Sequence, residues 1–223
     1  MKSVKTQFAV NLLSIVSACA AIYFDFTDNS ILYTFFKPLT TILIMSLLLF
    51  VKGTHALKFK NIIIAALIFC LLGDIFLLWD DYFVLGLASF LIGHLLFATG
   101  FIKLRGFHFN WVSFIIFFAI GAALLVWLKP DLEEFELPVT IYVLVITFMA
   151  WQGIGLFLED QKIAYVFIAL AVVLFMFSDA MIAVDKFKSP FKLSGLVILS
   201  SYWGSILLIV NATYLITTKK ISS

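Results

Sequence analysis

Six residues in this chain combine reactive groups with apolar surroundings: Lys37, Asp74, His94, Tyr142, Asp179 and Tyr202. Asp74 is followed by Ile-Phe-Leu-Leu-Trp and Asp179 by Ala-Met-Ile-Ala-Val, so neither short carboxylate can reach far toward water. An ionisable side chain inside such a run is costly and marks a functional site by default. Two carboxylates in one apolar site are machinery for moving protons, because two close together share a proton in preference to carrying two charges. One then donates the proton while the other, held ionised by Lys37, orients water. A metal centre is not expected, since of the three histidines only His94 lies in an apolar run and a zinc site usually takes three protein ligands. No cofactor is implied. Ser89 and Ser178 are available as nucleophiles, but no nucleophile elbow surrounds either. Each residue also has a structural alternative. Lys37, beside Pro38 near a run's end, can snorkel to headgroups. The carboxylates can form buried ion pairs with it, His94 can be a core histidine, and Tyr142 and Tyr202 can belong to interfacial belts.

The elements that must position these groups follow from composition. Of the 223 residues, 64% are hydrophobic and 13% charged, and the mean hydropathy is +1.15. Soluble domains hold about 45–50% apolar and about 25% charged residues, so this chain belongs in lipid. A net charge of +2 gives no footing for nucleic acid. Cys19 and Cys70 both fall in apolar runs and read as small buried hydrophobes. A spanning helix needs about 20 mostly apolar residues, and eight stretches qualify: 8–24, 32–51, 61–79, 82–102, 111–128, 138–158, 163–183 and 194–217. The connections are short and polar, with no linker or charge block, so residues 1–223 form a single all-α domain, a bundle of eight transmembrane helices.

Lys and Arg set the orientation. They crowd the N-terminus (Lys2, Lys5), the second loop (Lys52, Lys58, Lys60), the fourth loop (Lys103, Arg105), Lys162 and the C-terminus (Lys219, Lys220). The other side has Lys129, Lys186, Lys188 and Lys192. Both termini are therefore expected in the cytoplasm, with the protein in a bacterial inner or cell membrane. Val16-Ser17-Ala18-Cys19 resembles a lipoprotein cleavage site, but an uncleaved first span gives the even-numbered topology that the charge bias supports. With this orientation, the rise per residue places Lys37, Asp74, Tyr142 and Asp179 ~6–7 Å from the outer ends of their spans. Tyr202 falls at ~12 Å and His94 at ~18 Å, nearer the midplane. Polar groups from six helices thus gather in one half of the bundle, as a cavity open to that side requires. Equal depth makes Asp179 the expected counterpart of Asp74, and His94 the floor of the cavity. Gly73, Gly86 and Gly93 are expected to let helices approach closely.

The chain resembles the lysoplasmalogenase-like, or YhhN, family of integral membrane proteins over nearly its whole length. The likeness rests on Lys37-Pro38; on Gly73-Asp74 followed by Phe83, Gly86, Phe90, Gly93 and His94; on Phe177-Ser178-Asp179 with Lys186-Phe187; and on Tyr202. Two departures stand out. The family usually shows Tyr-Tyr-x-x-Gln in the last span, where this chain reads Ser201-Tyr202-Trp203-Gly204-Ser205. An aromatic hydroxyl common soon after the histidine is Phe97 here.

The resemblance implies an eight-helix membrane enzyme that hydrolyses the vinyl-ether bond of lysoplasmalogens to a fatty aldehyde and a glycerophospho-base. The family is distantly similar to membrane hydrolases that include alkaline ceramidases; those hold zinc with several histidines, a set missing here. The reaction suits the residues. Asp74 and Asp179 would be the acid–base pair, with either one as the acid, Lys37 would tune them or bind phosphate, and His94, Tyr142 and Tyr202 would position the reactants. The partner would be a lysophospholipid-like ether lipid in the membrane. Two other classes fit the same residues: a proton-coupled transporter for a small amphiphile, against which stands the lack of an inverted repeat or broken helix pair, and a non-catalytic lipid-binding protein.

Overall fold

The computed structural model describes residues 2–51 and 56–218, with side chains from residue 5 onward. Lys52, Lys219 and Lys220, and the side chain of Lys2, all used in the orientation argument, lie outside what is described. Eight α-helices account for nearly all of the rest: α1 (Lys2–Phe26), α2 (Ser30–Leu49), α3 (Leu57–Phe76), α4 (Phe83–Arg105), α5 (Trp111–Leu128), α6 (Glu136–Glu159), α7 (Ile163–Ala183) and α8 (Ser194–Thr218). Each is long and apolar enough to cross a membrane. The chain is an integral, multi-pass, all-α membrane protein.

Local chemistry explains where helices start and stop. Asn29 precedes α2 and its side chain accepts a hydrogen bond from the Leu32 N–H at 3.2 Å; Asn110 does the same for α5 through the Ser113 N–H at 3.0 Å. Both satisfy donors that a helix start leaves open. Pro138 sits in the first turn of α6, where its missing N–H costs nothing. At the far end of α7 the winding loosens into a π-helical turn, Val184–Lys188, closed by the Ser189 N–H on the Val184 carbonyl at 2.9 Å. Pro190 follows and prevents continuation.

The helices close into a ring. Neighbours run α1, α2, α3, α4, α6, α7, α8 and back to α1, while α8 leans inward onto α2 and α3 as well. The fifth helix stands outside the ring, against α6 and the π-turn. Lipid offers little hydrophobic drive for helices to associate, so close packing and polar ties must do it. Packing is closest between α3 and α4. A methyl group on Gly73 would stand 2.5 Å from the Phe90 ring, and one on Gly93 would meet Cys70 Sγ at 3.3 Å. Polar ties hold α1: Gln7 Nε2 donates to Asn211 Oδ1 at 2.8 Å and the Ser17 and Thr40 hydroxyls share a 2.8 Å bond.

One boundary differs from the hydropathy reading in a way that matters. The third span was expected to run to residue 79, but α3 ends at Phe76 and Leu77–Trp79 form an apolar turn. Asp74 therefore lies in the last turn of its helix, and the Leu77 carbonyl is left without a helical partner.

Candidate active site

The six polar residues gather around two hydrogen-bonded pairs, Tyr202 with Asp74 and Tyr142 with Asp179. In the first, Asp74 is 1% exposed. Its Oδ2 accepts from the Thr41 hydroxyl at 2.5 Å and from the Tyr202 hydroxyl at 2.9 Å. Trp203 Nε1 donates to the Thr41 oxygen at 3.3 Å, which orients that hydroxyl toward the carboxylate. Thr41 and Trp203 escaped the sequence reading. A signal for Thr41 was present, since it lies four residues after Lys37 and so shares its helix face.

Lys37 belongs beside this group but does not pair directly with Asp74. Its Nζ donates to the Leu77 carbonyl at 3.3 Å and stands 5.3 Å from the Tyr33 ring centroid. The lysine is 6% exposed, so it does not snorkel to headgroups. It caps α3, whose C-terminal carbonyls favour a cation, and it holds the turn that carries Asp74.

The second group is built on Asp179. Its Oδ2 accepts from the Tyr142 hydroxyl at 2.5 Å and lies 3.5 Å from His94 Nε2. His94 is fully buried and makes no hydrogen bond through either ring nitrogen. Its ring packs edge-on against Phe175 at 4.5 Å and Tyr142 at 5.4 Å. The imidazole is thus held by aromatic walls, with one nitrogen near Asp179.

Among the described residues no hydrogen bond joins Asp74 to Asp179, so the direct pairing inferred from equal depth is not what the fold builds. The two groups meet through rings instead. Tyr202, which serves Asp74, packs against both Phe90 and Phe175 with centroids 5.5 Å away in each case. Phe175 continues to His94. Depth along a helix carries no information about which way a residue faces, and that is where the expectation failed.

An apolar cleft reaches only one of the groups. It encloses about 640 Å³ of empty space, its open side included, between the starts of α4 and α6 and the ends of α5 and α7. Leu87, Leu124, Val143 and Met176 represent its walls, and Phe83 and Phe187 lie near its end. Tyr142 and Asp179 are the polar residues lining it. Phe90 also lines it, and behind that ring lie Gly73, Asp74 and Tyr202. His94 does not line the cleft, so it is not its floor; it supports Asp179 from behind. Among the described residues no three His, Cys, Asp or Glu side chains converge as a metal site would require.

A model of the YhhN family matches residues 32–213, a stretch that contains all six residues. The chain belongs to the YhhN family. Among curated relatives, lysoplasmalogenase TMEM86A of Bos taurus is 33% identical over 66% of this chain, and lysoplasmalogenase TMEM86B of Homo sapiens is 30% identical over 68%. The chain spans about 62% of the length of either relative. The YhhN membrane protein of Escherichia coli O157:H7 is 24% identical over 81% of this chain and 86% of its own length. No solved structure matches. Of the two positions where this YhhN chain departs from the usual pattern, Ser205 is fully buried and its hydroxyl has no hydrogen-bond partner, while Phe97 is fully buried and stacks on Phe101.

Proposed function

We propose that this protein is a membrane-embedded hydrolase that cleaves the vinyl-ether bond of lysoplasmalogen-type lipids. The observation that carries the reading is the cleft: an apolar slot among whose lining residues the one carboxyl group, Asp179, is hydrogen-bonded to Tyr142. An alkenyl chain fits such walls, and the acid stands where the chain's polar end would lie. The lysoplasmalogenase relatives point to the same bond.

Asp179 is the general acid. It transfers a proton to the alkene carbon distal to oxygen, and the π electrons of the double bond form the new C–H bond. The proximal carbon becomes an oxocarbenium ion. The Asp179 carboxylate, steadied by the Tyr142 hydroxyl, then takes a proton from water as the water oxygen bonds to that carbon. The resulting hemiacetal breaks its bond to the glycerol oxygen, which leaves with a proton, and fatty aldehyde and glycerophospho-base are released. One water is consumed and no electrons are exchanged. Asp74, accepting from two hydroxyls behind Phe90, carries the negative charge that favours the cation. Lys37 fixes Asp74 through the α3 terminus, and His94 positions Asp179. The chemistry needs no metal.

The test uses purified protein with lysoplasmalogen and, separately, an acyl lysophospholipid. Aldehyde from the first and no fatty acid from the second is the expected result. General acid catalysis contributes about 10²–10⁴-fold, so Asp179→Asn should lose at least about 10²-fold in turnover. Absence of aldehyde from folded wild-type protein sinks the substrate. Full turnover in Asp179→Asn sinks the mechanism. Activity should survive a chelator; loss that zinc restores would reassign the chemistry to a metal.

A further inference from the structure

The end of the cleft at Phe83 and Phe187 carries a charged pair that the hydrolytic reading leaves unused. The π-turn after α7 wedges an extra residue into the winding. It sends Phe187 into the cleft wall and leaves Lys186 and Lys188 on the outside. Single π-turns of this kind recur at functional sites. Lys186 Nζ stands 5.1 Å from the centroid of Phe83, itself a cleft-lining ring, and 3.0 Å from Asp80 Oδ1. Both charges remain open to an incoming group, with the Lys186 side chain 38% exposed and that of Asp80 94%. Phe83, Phe135 and Phe187 form an aromatic triangle beneath them, with centroids 5.4–6.0 Å apart.

We infer that Lys186 and Asp80 form the headgroup subsite of the cleft, Lys186 taking the phosphate of a zwitterionic lysophospholipid and Asp80 its ammonium group. This rests on the proposed reading of the cleft as a lysolipid site. A cation and an anion held side by side at an apolar mouth are the complement of a phosphate and an amine on one end of an apolar chain. Reach is consistent as well. Asp179 and Lys186 are seven residues apart, about 10 Å of helix, which a glycerol backbone and an extended lysine side chain together cover. Lys37, buried and committed to the α3 terminus, does not line the cleft and leaves the phosphate to Lys186. Lys188 serves differently: it pairs with Asp131 and stands over the Trp127 ring, pinning the turn to the end of α5.

Binding of uncleavable analogues tests this apart from turnover. The probes are a saturated 1-O-alkyl-glycerophosphoethanolamine and the matching 1-O-alkylglycerol, which lacks the phosphate. Wild-type protein should prefer the first by about tenfold or more, the scale of a charge-assisted hydrogen bond. Lys186→Gln should cut the preference severalfold, leaving what Asp80 gains from the ammonium group, while keeping the affinity for alkylglycerol, which doubles as the check on folding. Lys186→Arg should retain it, and Lys188→Gln should leave it unchanged. Asp80→Asn should still favour phosphate but no longer distinguish phosphoethanolamine from bare glycerophosphate. Inorganic phosphate at matched concentration should not displace the lipid. An undiminished preference in Lys186→Gln, no preference in wild type, or displacement by inorganic phosphate overturns the subsite. A retained preference with no aldehyde from alkenyl lipid overturns the hydrolase reading alone.

Discussion

Two hydroxyls six helices apart in sequence show how differently a buried oxygen can be placed. Thr41 gives its hydrogen bond to Asp74 and receives one from Trp203. Ser205, equally buried, has no partner. Removing a used donor takes from Asp74 one of its two hydroxyl hydrogen bonds, at a cost of about 1–3 kcal/mol, whereas removing an unused hydroxyl leaves nothing behind. Thr41→Val should therefore lower the thermal midpoint in detergent and Ser205→Ala should leave it unchanged or raise it. The opposite order would mean that the hydroxyl groups around Asp74 have been misread. Type and depth made the six reactive residues legible in the sequence. Their grouping was not, because Tyr202 faces Asp74 and Tyr142 faces Asp179 through the rotation of whole helices, which no single span records.

At the level of elements, hydropathy located all eight spans, and the limits of α5 and α7 coincide with the apolar runs 111–128 and 163–183. It misplaced the end of α3 because Leu77, Leu78 and Trp79 are apolar yet form a turn. A sequence read for hydrophobicity cannot separate an apolar turn from helix. The close approach of α3 and α4 was legible from their glycines, and it has a functional side. Gly73 leaves room for the Phe90 ring, which divides the cleft from Asp74. Gly73→Ala would press a methyl into that ring, and overpacking of this kind costs about 1–3 kcal/mol. The variant should melt earlier and also turn over more slowly, since Phe90 is displaced toward Tyr202 or into the cleft. A Gly73→Ala protein with unchanged melting and unchanged turnover would show that Phe90 yields freely and separates nothing.

For the whole molecule, eight crossings, an even number, would bring the start of α1 and the end of α8 to one side and the cleft end at Phe83 and Phe187 to the other. The excess of Lys and Arg around Lys58, Lys60, Lys103, Arg105 and Lys162 leads us to propose that the shared side is cytoplasmic. Fusion of a reporter that fluoresces only in the cytoplasm to the C-terminus should give signal, and a cysteine introduced at Asp81, beside the mouth, should react with an impermeant reagent from outside. Labelling at residue 81 only after the membrane is broken would reverse the orientation and move the cleft to the inner leaflet.

The position of α5 adds something about how such a protein would meet its substrate. This helix supplies Leu124 to the cleft wall yet stands outside the ring, held by α6 and by the turn after α7. A wall fastened on so few sides should answer to the lateral pressure of a surrounding bilayer. Admission to the cleft is then a two-dimensional event. On the proposed lysolipid reading, its rate should scale with the mole fraction of lysolipid in the leaflet and slow when inert lipid dilutes the surface at unchanged bulk concentration.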